Sequence, residues 1–493
     1  MTTEPRTAAS TPASRAPLLA GAAVTALLVA TAEGYGPHRD ELYFLRSGAE
    51  PAVGYVDNGP LTPLLAAALN QLGDGSLTVL RLWPALVAGI VVVLAGRIAA
   101  EFGATRGAQL LAAAATATGS ALLILGHTLS TAVTDLLVWT LLTWLVVRGL
   151  RDGGPVWLAV GAVAGVGLQN KLLPALLLAA LLAGVLLAGP RGILRSRWPW
   201  LGGLVAVLLV LPQLVWQAGA GFPLLALSSS IAAGGSVSSQ PWWVVVPFQL
   251  VLVGPLLVPV WVAGLWRLAR DPRLRTWRAF AVAYGLLLVL FTVTGGKPYY
   301  LAGLYPLLLA AGAAPALAWA RQSVPRAAAL GTALVVTLAG SATTALPVVP
   351  VDELAVSPVV AMNPDAAETV GWPEFAATVG AAVASAPGER VTVLAANYGQ
   401  AGAVDHYLPA AGPAYSGHNA YAGWGPPPGD ETAVVVVGYP VEQVRTWFGR
   451  VDTVARIDNG VGLDNLEQGG PVLLARDRSR PWSEIWAEVV WLG

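Results

Sequence analysis

Cysteine is absent from this chain and charge is scarce. The first absence excludes disulfides, thiolate nucleophiles and Cys-ligated metals. The second excludes an ordinary soluble domain: charged residues are 11% of the 493 residues, against about 25% in soluble globular domains. Lysine occurs only at Lys171 and Lys297. Lys plus Arg and Asp plus Glu cancel at 28 each, so net charge gives no pointer to nucleic acid. What fills the chain is apolar, 55% hydrophobic with a mean hydropathy of +0.63.

The apolar residues come in blocks near the ~20 residues that cross a bilayer. Eleven runs read as membrane spans, at about 17–33, 78–100, 107–125, 131–147, 156–169, 172–188, 199–216, 243–265, 279–294, 301–319 and 327–346. The polar stretch before the first run, with Arg6 and Arg15, has a signal-peptide layout, but many spans follow, so the run reads as a retained helix. With the N-terminus in the cytoplasm, every inner loop is basic: Arg97 and Arg106, Arg148 and Arg151, Arg191 to Arg197, Arg267 to Arg278, and Arg321 and Arg326. Both lysines then fall at outer span ends, where that charge bias does not put them. A lysine there can partner a phosphate or simply anchor at the interface.

The outer connections gather the other polar groups. Loop 34–77 opens with His38-Arg39-Asp40-Glu41-Leu42-Tyr43 and continues through Gly54-Tyr55-Val56-Asp57-Asn58-Gly59-Pro60-Leu61. Its apolar positions read as two short amphipathic helices lying on the membrane. His127, Thr134 and Asp135 flank the second outer connection, and loop 217–242 is Gly/Ser-rich, suited to a mobile lid or a plain connector. Past about Leu346 the composition changes. Strands are expected at 391–395, 433–438 and 472–475, with helices at 372–386, up to Tyr407, and at 440–449, giving a small three-layer α/β domain. The chain thus divides into a membrane module, 1–346, and an extracytoplasmic domain, 347–493. The turn Asn397-Tyr398-Gly399-Gln400-Ala401-Gly402 lacks the spacing of a dinucleotide fingerprint. His406 and His418 read as ordinary surface or binding groups.

These residues set up one chemistry at the outer face. A carboxylate takes the proton of an acceptor hydroxyl, cations steady a leaving phosphate, and apolar helices hold a prenyl chain. Asp40, Glu41, Asp57 and Asp135 supply carboxylates. Lys171, Lys297, Arg39 and Arg46 supply cations.

The motifs His38-Arg39-Asp40-Glu41-Leu42-Tyr43, Gly54 to Leu61, Thr134-Asp135, Gly167-Leu168-Gln169-Asn170-Lys171 and Gly296-Lys297-Pro298-Tyr299-Tyr300 with Tyr305-Pro306 resemble the dolichyl-phosphate-mannose protein mannosyltransferase-like superfamily, which includes the bacterial aminoarabinose lipid A transferases. The resemblance implies a polytopic α-helical protein of the GT-C type that transfers a sugar, with inversion, from a polyprenyl-phosphate sugar to an extracytoplasmic protein, lipid or envelope glycan. It implies Asp40 as base, with Glu41 and Asp135 as further catalytic carboxylates. Arg39, Tyr55, Asp57, Lys171, Lys297, Tyr299 and Tyr300 are the substrate-binding candidates. The family's His-Pro-Pro is here Asn58-Gly59-Pro60. No cofactor is implied; a divalent cation stays open, its ligands unknown.

Plainer readings stand beside these. Asp40 and Glu41 are placed to cap a helix, Asp57 to make a turn before Pro60, Asp135 to N-cap a span with Thr134, and His38 and His127 to make polar contacts rather than bind metal. Tyr299 and Tyr300 suit an interfacial belt as well as a sugar. A lipid-linked sugar transporter or a noncatalytic glycan-binding subunit would share much of this composition, but a transporter needs charge at mid-depth in the helices, and here charge sits near span ends.

Overall fold

A computed structural model of the chain describes residues 10–235 and 239–493. The first nine residues of the polar N-terminal stretch, and Ser236 to Ser238 of the Gly/Ser-rich loop, lie outside the described residues. The chain forms two compact units. One is helical and holds residues 10–32, 81–219 and 239–346. The other joins 33–80, 220–235 and 347–493, so the long first loop folds with the C-terminal part.

In the helical unit every one of the eleven apolar runs is helical. Among the described residues six helices are long and apolar enough to cross a membrane, up to eight if each bent pair is one span. The bends fall between Arg106–Thr118 and Ser120–His127, at 59°, and between Trp242–Val253 and Pro255–Arg270, at 84°. Gly119 and Gly254 occupy the breaks. Helices Ala16–Ala30, Val156–Leu168 and Leu173–Ala188 are apolar but shorter. Small residues let helices approach closely, as membrane packing favours. A Cβ on Gly264 would overlap the Leu308 carbonyl, and one on Gly312 the Val260 carbonyl, which seats helix Val258–Arg270 against Tyr305–Ala320.

The second unit carries a mixed five-stranded sheet. Its strands are β1 (Val391–Ala395), β2 (Ala414–Tyr415), β3 (Ala433–Val437), β4 (Phe448–Arg456) and β5 (Pro471–Arg478), in the order β2-β1-β3-β5-β4. β1 runs parallel to β2 and β3, and β5 is antiparallel to β3 and β4. The three strands expected from apolar runs are the central three. The edges were not read from sequence. β2 is two residues long, and β4 is largely exposed, so neither presents an apolar run. The helix expected at 440–449 is only Val441–Val444, because the chain turns to bury Trp447 and enters β4. Helices Trp372–Ala384 and Tyr398–Tyr407 stand where expected.

The first loop folds into helices Arg39–Ala49 and Leu61–Gly73. The Gly/Ser-rich loop contains a helix, Pro223–Ala232, whose Ser228 and Ser229 hydroxyls donate to carbonyls four residues back.

Candidate active site

Helix Arg39–Ala49 starts with an unusual cap. His38 Nδ1 accepts from the Asp40 amide at 3.2 Å, and the His38 amide donates to Glu41 Oε2 at 2.9 Å. This is a capping box with histidine in place of Ser or Thr. Glu41 is fully buried and its carboxylate is turned back to the start of the helix. Asp40, one residue earlier, is half-buried and points elsewhere. It sits in the first helical turn, where the helix dipole favours a carboxylate.

Asp40 Oδ1 accepts from the Tyr398 hydroxyl at 2.8 Å. Burial pushes the Tyr398 pKa well above its usual value, so this group remains a donor. Tyr398 is held on three sides. Its ring lies against Tyr43 at 4.6 Å and against His418 at 4.5 Å, and the Arg39 guanidinium lies 4.8 Å from its centroid. His418 stacks in turn on Trp491 at 3.6 Å. The Tyr398 amide donates to His418 Nδ1 at 3.3 Å, which leaves the ring proton on Nε2, facing the Gly493 oxygen at 3.0 Å. Burial lowers the His418 pKa to about 3, so the ring is neutral. His418 is 1% exposed, which corrects its reading as a surface group. His406 is exposed, as expected.

Glycine makes this approach feasible. A Cβ on Gly399 would lie 2.9 Å from Arg39 Cβ, and one on Gly402 would lie 3.0 Å from Leu42 Cβ. Helix Tyr398–Tyr407 therefore presents a bare face to helix Arg39–Ala49. The Gly399-x-x-Gly402 spacing, no dinucleotide turn, is the sequence signal for that contact.

Asp57 is the second polar centre of this unit. Its Oδ1 accepts from Tyr43 Oη and Asn58 Nδ2, both at 2.8 Å, and its Oδ2 from Asn419 Nδ2 at 3.2 Å. Burial raises its pKa to about 6, against the lowering effect of the Tyr43 hydrogen bond. Tyr55 is buried, and its hydroxyl accepts from the Ala52 amide at 3.1 Å and donates to the Ser47 carbonyl at 2.8 Å, closing the loop after the helix. Arg39 pairs with Glu368 at 3.5 Å, and Arg46 with Asp405 at 3.1 Å.

The remaining candidates lie in the helical unit, and four of them gather. Lys171 Nζ is 5.0 Å from the Tyr300 ring centre and 5.4 Å from that of Tyr299. The two rings are nearly perpendicular, 5.2 Å apart. Asp135 is buried and within electrostatic reach of Lys171 and Tyr300. It does not cap its helix. Ser130 does, its hydroxyl accepting from the Val133 amide, while Thr134 accepts from Trp83 Nε1 at 3.0 Å. Lys297 stands at the start of the turn Pro298–Leu304. Arg81, one of the charges near a span end, is 2% exposed; its guanidinium donates to the Ala32 carbonyl at 2.5 Å and lies 3.5 Å from His127 Nε2. Among the described residues no three His, Asp or Glu side chains cluster as a metal site would require.

Two crystal structures of ArnT from Cupriavidus metallidurans are similar to this chain. The apo form aligns with a TM-score of 0.61 at 16% identity, over 97% of this chain and 99% of that one. The form bound to undecaprenyl phosphate aligns with a TM-score of 0.60 at 16% identity, over 94% and 98%. The fold is of the GT-C glycosyltransferase type. Residues 57–216 match the model of the family described as dolichyl-phosphate-mannose-protein mannosyltransferase, so the resemblance read from the motifs stands over that stretch. No curated protein is significantly similar in sequence.

Proposed function

We propose that the chain is a plasma-membrane glycosyltransferase. It moves a sugar from a polyprenyl-phosphate monosaccharide to an extracytoplasmic acceptor, with inversion at the anomeric carbon. Its N-terminus is cytoplasmic, its eleven apolar segments each enter the membrane, and its C-terminal part is outside. The observation that carries the reading is the state of Asp40: a half-exposed carboxylate in the first turn of a helix, with one oxygen engaged by Tyr398. In that position the carboxylate is the proposed acceptor of the proton from an acceptor hydroxyl. The acceptor oxygen forms the bond to the anomeric carbon as the bond from that carbon to the phosphate oxygen breaks. The electron pair leaves with the prenyl phosphate.

Lys171 and Lys297 are the proposed phosphate partners, being the chain's two lysines and both at span ends. Tyr299 and Tyr300 are the proposed sugar-facing rings beside Lys171, with Asp135 setting the local charge. Glu41 serves through the cap that fixes Asp40, Arg39 through Tyr398, and Asp57 and Tyr55 by holding the loop. Support for the donor class comes from the family match and from a structural neighbour solved with undecaprenyl phosphate.

The test is a reaction of the purified chain with defined prenyl-phosphate sugars and a membrane extract. A product heavier than an extract component by one sugar residue is expected. Movement of labelled sugar lipid across a bilayer with no such product sinks the proposal in favour of transport.

A further inference from the structure

Apart from Asp40 and its partners, the second unit contains a cavity of about 540 Å³. That volume lies within the ~300–1,000 Å³ of small-molecule sites. Its polar lining includes Glu33, Asn70, Glu374, His406 and Asn459, with the Tyr407 ring beside His406 at 4.6 Å. Leu45, Leu77, Leu80 and Val351 contribute apolar wall. Among the described residues no lysine or arginine lines it. Glu33, Glu374 and His406 are all exposed side chains.

Two carboxylates without a cation repel phosphate, sulfate and uronate. They accept hydrogen bonds from hydroxyl or ammonium groups, and an amide and an imidazole both donate and accept. An aromatic ring gives a surface for the C–H face of a pyranose. Gly36 and Pro37 of the cavity wall lead directly into the cap of the Asp40 helix.

We propose that this cavity binds a saccharide carrying no negative charge, a segment of the acceptor glycan. Calling that saccharide the acceptor rests on the transferase reading; its binding does not. The ligand enters through hydroxyl or amine contacts to Glu33 and Glu374 and is oriented by Asn70 and His406.

The test measures binding alone, by ligand-observed NMR with the full chain in lipid nanodiscs. The probes are a glucosamine trimer, maltotriose and a galacturonate trimer, plus a hydroxyl-rich peptide of equal mass. The amine and neutral trimers are expected to bind, and the acidic trimer and the peptide to fail. Glu374→Gln and His406→Ala should each weaken binding about tenfold with an unchanged thermal midpoint, since both side chains are exposed. Asp40→Asn should leave binding as in the wild type. Acidic trimer binding as well as maltotriose, the peptide binding in place of the sugars, neither of the first two trimers binding, or wild-type affinity in both cavity variants overturns the proposal. Sugar binding with the expected variant losses, in a chain that transfers no sugar, upholds the cavity and removes the transferase reading alone.

Discussion

In the helical unit, many polar side chains satisfy themselves on their own helix. Thr116, Thr140 and Thr292 each donate to the carbonyl four residues back. The second unit has such bonds too, at Ser228 and Ser229, but around Asp40 and Asp57 its polar groups reach far along the chain. Tyr398 bonds to Asp40, Asn419 to Asp57, and the Ala420 amide to the Tyr43 hydroxyl, across 358, 362 and 377 residues of chain. A hydroxyl that returns to its own backbone makes a helix tolerable in lipid, where unsatisfied groups are costly. Bonds that cross hundreds of residues fix a side chain in one place, which a reacting carboxylate needs. The two units therefore differ in what their polar groups are for, and substitutions can separate them.

The largest effect is expected at Asp40. Asp40→Asn keeps an oxygen to accept from Tyr398 but removes the base, so transfer should fall about 10²–10⁴-fold. The thermal midpoint should stay within error of the wild type. Product formation and a melting curve on the same preparation check both, and retained activity would remove Asp40 as the base.

Next come the lysines of the helical unit. Lys297→Ala and Lys171→Ala should each weaken binding of a prenyl phosphate by about tenfold or more, as loss of a charge-assisted contact does. Asp40→Asn should leave that affinity unchanged. Donor titration of the three variants draws the line between the units. Equal donor affinity in wild type and both lysine variants would erase the division of labour.

A packing test follows. Gly402→Val puts two methyl groups against Leu42 and should destabilise the chain by about 1–3 kcal/mol. Gly340, in helix Val324–Ala345, has open space at its Cβ position, so Gly340→Ala should be neutral or slightly stabilising. Thermal midpoints of both decide whether the Gly399–Gly402 face is the tight contact that the geometry describes.

This contrast also explains what was legible in the sequence. Apolar runs of bilayer length announce helices whatever surrounds them, so all eleven could be marked from residues alone. The strands in the middle of the sheet were legible for the same reason, since Val434 to Val437 is a buried run. The site was legible only in its local part. His38 to Glu41 stood out as charge beside a span, and the cap follows from the same four residues. Tyr398, His418, Asn419 and Trp491 were not singled out as its partners, because nothing in a one-dimensional string ties residue 40 to residue 398. The one available clue was a glycine pair at helical spacing in a segment with no need of a turn. Asp135 illustrates the converse: its neighbours suggested a cap, and the serine five residues earlier had already taken that role.

The last test uses pH on the second unit. Burial raises the Glu467 carboxyl to about 7, with repulsion from Glu368 adding to it and Arg39 opposing, whereas an unfolded glutamate titrates near ~4.3. Between those values the native state holds a proton that the unfolded state has released. The Glu467 contribution to stability therefore falls as pH rises through that window and levels off above it, while the His418 contribution, with its pKa lowered to about 3, rises with pH up to the ordinary histidine range. Asp57, raised to about 6, adds a loss of the same sign that ends earlier. Each group contributes at most about 0.7 kcal/mol between points half a pH unit apart. Glu467→Gln imitates the protonated form and should flatten the decline above pH 6 while leaving the Asp57 part below it. The measurement is the thermal midpoint at half-unit steps from pH 4 to 8. A Glu467→Gln profile parallel to the wild type across this range would show that the carboxyl is not held protonated in the native state.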